Sequence, residues 1–270
     1  MFLGDVHTHS RCSPDGRFSM AEMARSAAEH GVSYLCLTDH CDLLDLNGVF
    51  TPHYDWSPCR TDFYTALEDL PAGVRLHRGV ELGEAYEDPT AARAILDAAP
   101  ELDFVIGSVH NFHAMMDKQD FYNADYSSDA MCHAALDDYL SSMALLVALG
   151  DCYDTLAHIL YPLRYMRQAG RDISLAQRDY PQRLEVILKT VAQQGKALEV
   201  NTWRGRTVAE WEPILRQFKA VGGEYVTVGS DSHDLDHVGA GVAEAYELMR
   251  ACGYRYTAVF EGRKPRMEVI

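Results

Sequence analysis

The sequence predicts a parallel α/β barrel of TIM-like architecture, and three observations point to it. Short apolar, β-branched segments recur seven times, stretches of helical periodicity separate most of them, and most end in a histidine or an acidic residue. The expected strands are 2–6, 34–38, 74–80, 104–109, 155–158, 197–200 and 225–228. Between the first two, Ser19 with Glu22 reads as a capping box, Ala-rich sequence continues to His30, and Gly31 supplies the stop. Further helices are expected over 128–149, 177–194 and 211–221, the last closed by Gly222-Gly223. The 43–62 stretch, with Asn47-Gly48, Pro52 and Pro58, reads as one long loop, either a cover over a site or a surface excursion.

At 270 residues and 47% hydrophobic content, the chain fits one domain, 1–270, better than two small ones. Against 40 Asp and Glu stand 24 Lys and Arg, a net charge of −16 that opposes binding to long nucleic acid or to anionic lipid. A phosphorylated substrate then needs local positive charge, which bound metals supply. The seven cysteines show no CxxC pair, which fits reduced thiols and a cytoplasmic location. No export segment is expected at the start, and the longest apolar run, 143–149, is too short to span a bilayer.

His7 and His9 stand two apart at the end of the first strand, so both imidazoles point the same way and can chelate one metal. Alone, His-x-His is a weak signal. Asp39-His40, Glu81, His110, His158 and Asp231-Ser232-His233 end other strands, and in a barrel these ends converge on one rim. Each alone has an ordinary reading, a hydrogen-bonded core histidine or a surface ion pair; the convergence favours a metal site. His30, His53, His77, His113, His133 and His237 lack such company and are left out of the ligand set. Ser108 and Ser230 read as packing residues or hydrogen-bond donors behind the ligands, not as nucleophiles, and no GxSxG, Walker or GxGxxG motif occurs.

As a set, His7-Thr8-His9-Ser10, Ser13-Pro14-Asp15-Gly16, Leu37-Thr38-Asp39-His40, Gly79-Val80-Glu81, Gly107-Ser108-Val109-His110, Ala157-His158, Glu199-Val200-Asn201-Thr202 and Gly229-Ser230-Asp231-Ser232-His233 resemble the polymerase and histidinol phosphatase (PHP) superfamily, in particular its monofunctional histidinol-phosphatase branch. The resemblance implies a distorted seven-stranded (βα)7 barrel and three divalent transition metals, zinc, manganese or iron. It implies one metal on His7, His9, Glu81 and Asp231; a second on Glu81, His110 and His158; and a third on Asp15, His40 and His233. Glu81, Asp231 and His233 would then be catalytic as well as ligating. The implied reaction is hydrolysis of a phosphomonoester, histidinol phosphate first, by a hydroxide that bridges two metals. Arg164, and Arg204 or Arg206, are expected to grip the phosphate, although each could be an ordinary solvated arginine. Two departures from the family pattern, Leu160-Tyr161-Pro162 after His158 and Trp203 after Asn201-Thr202, bear on the alcohol rather than on the metals. Competing readings are action on another small phosphate ester or a nucleotide, and a metal-binding regulatory module without turnover. Oligomeric state is left open.

Overall fold

Seven parallel strands carry the chain, and a computed structural model describes residues 2–270. In chain order they are β1 (Gly4–Thr8), β2 (Tyr34–Leu37) resuming as β3 (His40–Asp42), β4 (Arg75–Gly83), β5 (Phe104–Ser108), β6 (Thr155–Leu156), β7 (Ala197–Asn201) and β8 (Val226–Gly229). Each pairs with the next in parallel; Leu37 sits beside Arg78 and His40 beside Glu81, so β2 and β3 are one strand interrupted at Thr38-Asp39. The sheet closes through few bonds. His9 N donates to Ser232 O and Asp231 N to His7 O, both at 2.8 Å.

The buried carboxylate of Asp5 supports that seam by accepting from Ser230 N at 2.9 Å and Gly239 N at 2.8 Å. Burial pushes its pKa above the usual carboxylate value, and these donors work against the shift. Gly229 is required here because a Cβ would meet the His7 Cβ at 2.2 Å.

Helices α1 (Met20–Glu29), α2 (Ser57–Glu68), α3 (Pro89–Asp97), α4 (Asp129–Val147), α5 (Tyr161–Gln168), α6 (Tyr180–Gln193), α7 (Glu212–Ala220) and α8 (Val242–Ala251) surround the sheet. The capping box on α1 is present as expected, with both Ser19 and Glu22 engaged. The expected helices 128–149, 177–194 and 211–221 appear as α4, α6 and α7, each slightly shorter. The single long loop over 43–62 is corrected. Residues 43–51 fold into a tight turn with Leu44 bridged to Phe50, and α2 begins at Ser57. Pro58 starts that helix rather than marking a loop, because its missing N–H is no loss in the first turn.

Three expected strand ends also move. The first strand ends at Thr8 instead of Val6, so His7 lies inside it. The third strand runs on to Gly83, so Glu81 lies inside it, and the fifth is only Thr155–Leu156, leaving His158 just beyond. A hairpin outside the sequence reading, β9 (Tyr256–Glu261) with β10 (Lys264–Val269), stoppers the end of the barrel away from the histidines. Its Ala258, Val259 and Phe260 pack with Val6, Tyr34, Cys36, Phe104 and Ile106 in the interior.

Asp5→Ala leaves the buried Ser230 amide and the half-buried Gly239 amide without a partner at the closing seam, so unfolding free energy of the metal-free protein should fall by about 2–4 kcal/mol. Urea denaturation measures it, and a change under about 1 kcal/mol would show that the seam is held by other contacts.

Candidate metal centre

The strand ends bring the predicted residues to one place. β1 delivers His7 and His9 fully buried, β3 begins with His40, and β4 carries Glu81 into the mouth with 1% of its surface exposed. The two oxygens of Glu81 face different partners. Oε2 lies 3.2 Å from His7 Nε2, 3.5 Å from His9 Nε2 and 3.1 Å from His40 Nδ1. Oε1 lies 3.1 Å from His110 Nε2 and 2.8 Å from His158 Nε2. Asp231 Oδ1 faces His7 and His9 at 3.9 and 3.6 Å, and Asp15 reaches His233 at 3.0 Å and His40 at 3.9 Å.

All nine sequence-predicted ligand positions therefore meet in one mouth. Three groups have donor atoms mutually within 4.8 Å: His7, His9 and Glu81; Glu81, His110 and His158; and His9, His40 and His233. A ligand set around zinc, with bonds near 2.0–2.1 Å, has neighbouring donor atoms about 3.3 Å apart, and the separations to Glu81 and Asp231 here, 2.8–3.9 Å, bracket that value. His7 Nε2, His9 Nε2, His40 Nδ1, Glu81 Oε2 and His233 Nε2 are buried without any hydrogen-bond partner. Several orphaned donor atoms aimed at shared points fit metal cations, since such burial is otherwise costly.

The carboxylates are held charged while the rings differ: against the opposing effect of burial, Glu199, Glu81 and Asp231 raise His7, and Glu81 and Asp42 raise His40 and His110, above the ordinary imidazole value. Burial alone would raise the Glu81 pKa, yet His7, His110 and His40 hold it well below the usual carboxylate range. Asp231 is likewise held low against its burial, by His7, His9 and Arg164. Burial and the neighbouring His233 and His40 hold His9 well below its ordinary value, which favours the neutral ring a metal needs. Its ring stacks on that of His233 with centroids 4.0 Å apart.

Other contacts aim the ligands from behind. Glu199 Oε1 meets His7 Nδ1 at 2.5 Å, which directs Nε2 into the mouth, and its Oε2 accepts from His158 N at 2.9 Å. Asp39 accepts from Ser13 Oγ at 2.9 Å, and that hydroxyl sits 3.0 Å from His9 Nδ1. Asp42 forms a further close group with His40 and His110. The sequence reading quoted Ser13, Asp39 and Glu199 within its motifs without making them ligands or catalytic residues, and it passed over Asp42. Asp42 was detectable, being two residues from His40 on one short strand, and Glu199 was detectable as an acidic residue within an apolar strand.

The mouth opens into a cavity of about 820 Å³ whose wall includes Asp42, Asp45, Asp120, Tyr161, Tyr165, Trp203, Arg164 and Arg204. Arg164 is 5% exposed and forks onto Asp231 Oδ2 at 3.0 Å and Asn201 Oδ1 at 2.7 Å. Arg206 does not line the cavity; its guanidinium lies over the Trp203 ring, 5.0 Å from the centroid. Trp203, Arg204 and Asp231 all take positive φ, a concentration of backbone strain at the rim. Of the histidines left out, His113 pairs with Glu87 at 2.6 Å, His237 with Asp234 at 2.6 Å and His77 with Asp103 at 3.1 Å, whereas His53 stands on the cavity wall.

Residues 5–203 match the PHP domain family. The chain belongs to that family. Among PHP relatives, the histidinol-phosphatase of Lactococcus lactis subsp. lactis (strain IL1403) is 27% identical over 269 residues, 96% of this chain and 95% of that protein. The crystal structure of the L. lactis histidinol phosphate phosphatase, complexed with zinc, L-histidinol and phosphate, superposes with a TM-score of 0.84 at 25% identity and covers 98% of both chains. The PHP fold, a parallel seven-stranded sheet nearly closed into a barrel, is the one expected from the sequence.

Glu199→Gln keeps the shape but removes the charge behind His7, so affinity for at least one metal should weaken about 10–100-fold with the fold intact. Competition with a chelating indicator reads the affinity and circular dichroism the fold; unchanged affinity would mean that His7 is oriented without Glu199.

Proposed function

We propose that this PHP protein hydrolyses histidinol phosphate to histidinol and phosphate, as a cytoplasmic enzyme of histidine biosynthesis. The chain is a metal-dependent phosphoric monoester hydrolase, and the substrate is the step taken here. The observation that carries the proposal is Glu81, with one oxygen facing His7, His9 and His40 and the other facing His110 and His158. A carboxylate so shared would hold two cations side by side, with Asp231 completing the first set and Asp15, His40 and His233 forming a third. When bound, divalent metals acidify water and neutralise the phosphoryl oxygens.

Arg164 and Arg204, the arginines on the cavity wall, would orient the phosphate beside the metals. The fork that fixes Arg164 on Asp231 and Asn201 preorganises it, so little rotamer freedom remains to be lost when the phosphate arrives. The rest of the wall suits the alcohol half of histidinol phosphate, an ammonium and an imidazole on a short chain. Asp42, Asp45 and Asp120 supply negative charge, and Tyr161, Tyr165 and Trp203 supply faces on which a flat or cationic group can rest. The zinc, L-histidinol and phosphate in the related L. lactis enzyme support the same reading.

Phosphate release from histidinol phosphate, nucleoside monophosphates and sugar phosphates, measured side by side, tests the substrate. Histidinol phosphate should show the highest kcat/KM; preference for another ester would overturn the assignment while leaving the phosphatase intact. Arg164→Ala should lower kcat/KM about 10²-fold or more, and Arg204→Ala should exceed Arg206→Ala in effect. Unchanged kinetics in all three would remove the phosphate clamp.

Two to three transition metals should remain per chain after reconstitution and desalting, and Glu81→Gln should lose at least one together with most activity. His113→Ala, paired with Glu87 outside the mouth, should keep the full complement. Elemental analysis decides, and one metal or none in the parent protein would end the cluster reading.

A further inference from the structure

Next to the metal mouth, two cysteines face each other across the gap between a loop and a helix. Cys12 belongs to the loop from β1 to α1, midway between His9 and Asp15, and Cys59 to the first turn of α2. Their sulfur atoms and a carboxylate oxygen of Asp39 lie within 4.8 Å of one another. The Tyr54 hydroxyl is 3.2 Å from Cys59 Sγ. Loop and helix are held in register by the buried Asp62 of α2, which accepts from Arg11 at 2.7 Å and from Met20 N at 3.0 Å, one partner on each side of Cys12. Cys12 is partly exposed and lines both the active-site cavity and an outer groove beside Ser57 and Thr61, whereas the other six cysteines are buried.

We propose that Cys12 and Cys59 form a peroxide-sensitive dithiol whose oxidation to a disulfide pulls the Asp15 loop toward α2 and lowers the activity of the adjoining site. Cys59, its sulfur flanked by the Tyr54 hydroxyl at 3.2 Å and by Cys12, is the nucleophile. Cys12 and Tyr54 stabilise its thiolate, holding it below the ordinary thiol value in spite of burial. The thiolate attacks one oxygen of hydrogen peroxide, the O–O bond breaks, and the departing hydroxide takes a proton to become water. Cys12 sulfur then attacks the sulfenic sulfur, the S–O bond breaks, the S–S bond forms, and the Cys12 proton leaves with the second water. Two thiols lose two electrons and one peroxide is reduced to two waters.

A disulfide requires sulfurs at about 2.05 Å, so the bond ties the loop directly to α2 and draws it toward the helix. The loop is tight and transmits the shift. A Cβ on Gly16 would meet Ser10 O at 1.8 Å, and Ser10 and Ser13 are both tied to Asp39. Asp15 would thus be drawn off His233 and His40.

Peroxide treatment of the metal-loaded protein, followed by peptide mapping without reduction, should give a Cys12–Cys59 crosslink. Phosphatase activity should fall about tenfold or more, the scale seen when a group that supports a metal site is displaced, and return with dithiothreitol. Cys59→Ser should keep its basal activity and resist the peroxide. The activity readout rests on the phosphatase reading, but the crosslink is read by mass and stands or falls without it. Absence of the crosslink, a crosslink without loss of activity, or equal peroxide sensitivity in Cys59→Ser would each overturn the proposal.

Discussion

A buried carboxylate surrounded by five imidazoles governs this molecule. Glu81 sits in the longest strand of the sheet, nearly sealed from solvent, and each of its oxygens is contacted by histidines from other strands. Burying one carboxylate among apolar residues would be prohibitive, and burying several neutral imidazoles with their lone pairs converging would be no better. Together they become tolerable, most of all with cations among them. Each of β1, β3, β4, β5 and β6 must then bring its ligand to the same height on the rim, which constrains strand register throughout the barrel.

The seam between first and last strands shows how tightly fold and site are joined. The backbone groups that close the barrel belong to His7, His9 and Asp231 and to Ser232 between Asp231 and His233. Asp5 anchors the same junction from below, and Gly229 lets the two strands approach. Ligation and barrel closure are therefore linked equilibria, since anything that binds the closed mouth and not the open chain stabilises the closed form.

Much of this was legible in the sequence because strand periodicity is a strong rule. His7 and His9 share a face on that rule alone, and the polar clusters at other strand ends located the rim. Details that depend on chain ends and turn chemistry were less visible. Pro58 was read as a loop marker although helices α2, α3, α5, α6 and α7 all carry proline in the first turn. The closing hairpin escaped notice because β10 faces solvent and so lacks the apolar alternation that marks a strand, although the apolar run of β9 and Gly262 at the turn were both available signals. Asp39 acts on His9 only through the Ser13 hydroxyl, and a role at two removes leaves no spacing pattern to find.

The cavity wall has a consequence for divergence within the fold. Apart from the ligands and the residues close beside them in sequence, Cys12, Pro14, Cys41, Asp42 and Asn111, its residues come from separate segments, 44–54, 120–122, 161–165 and 203–204, and the closing hydrogen bonds of the seam involve none of them. Mutations that reshape the alcohol half of the pocket therefore leave the electrophilic machinery standing. A lineage built on this scaffold can drift from one phosphate ester to another by exchanging aromatic and acidic side chains on those segments, with the hydrolytic core inherited unchanged.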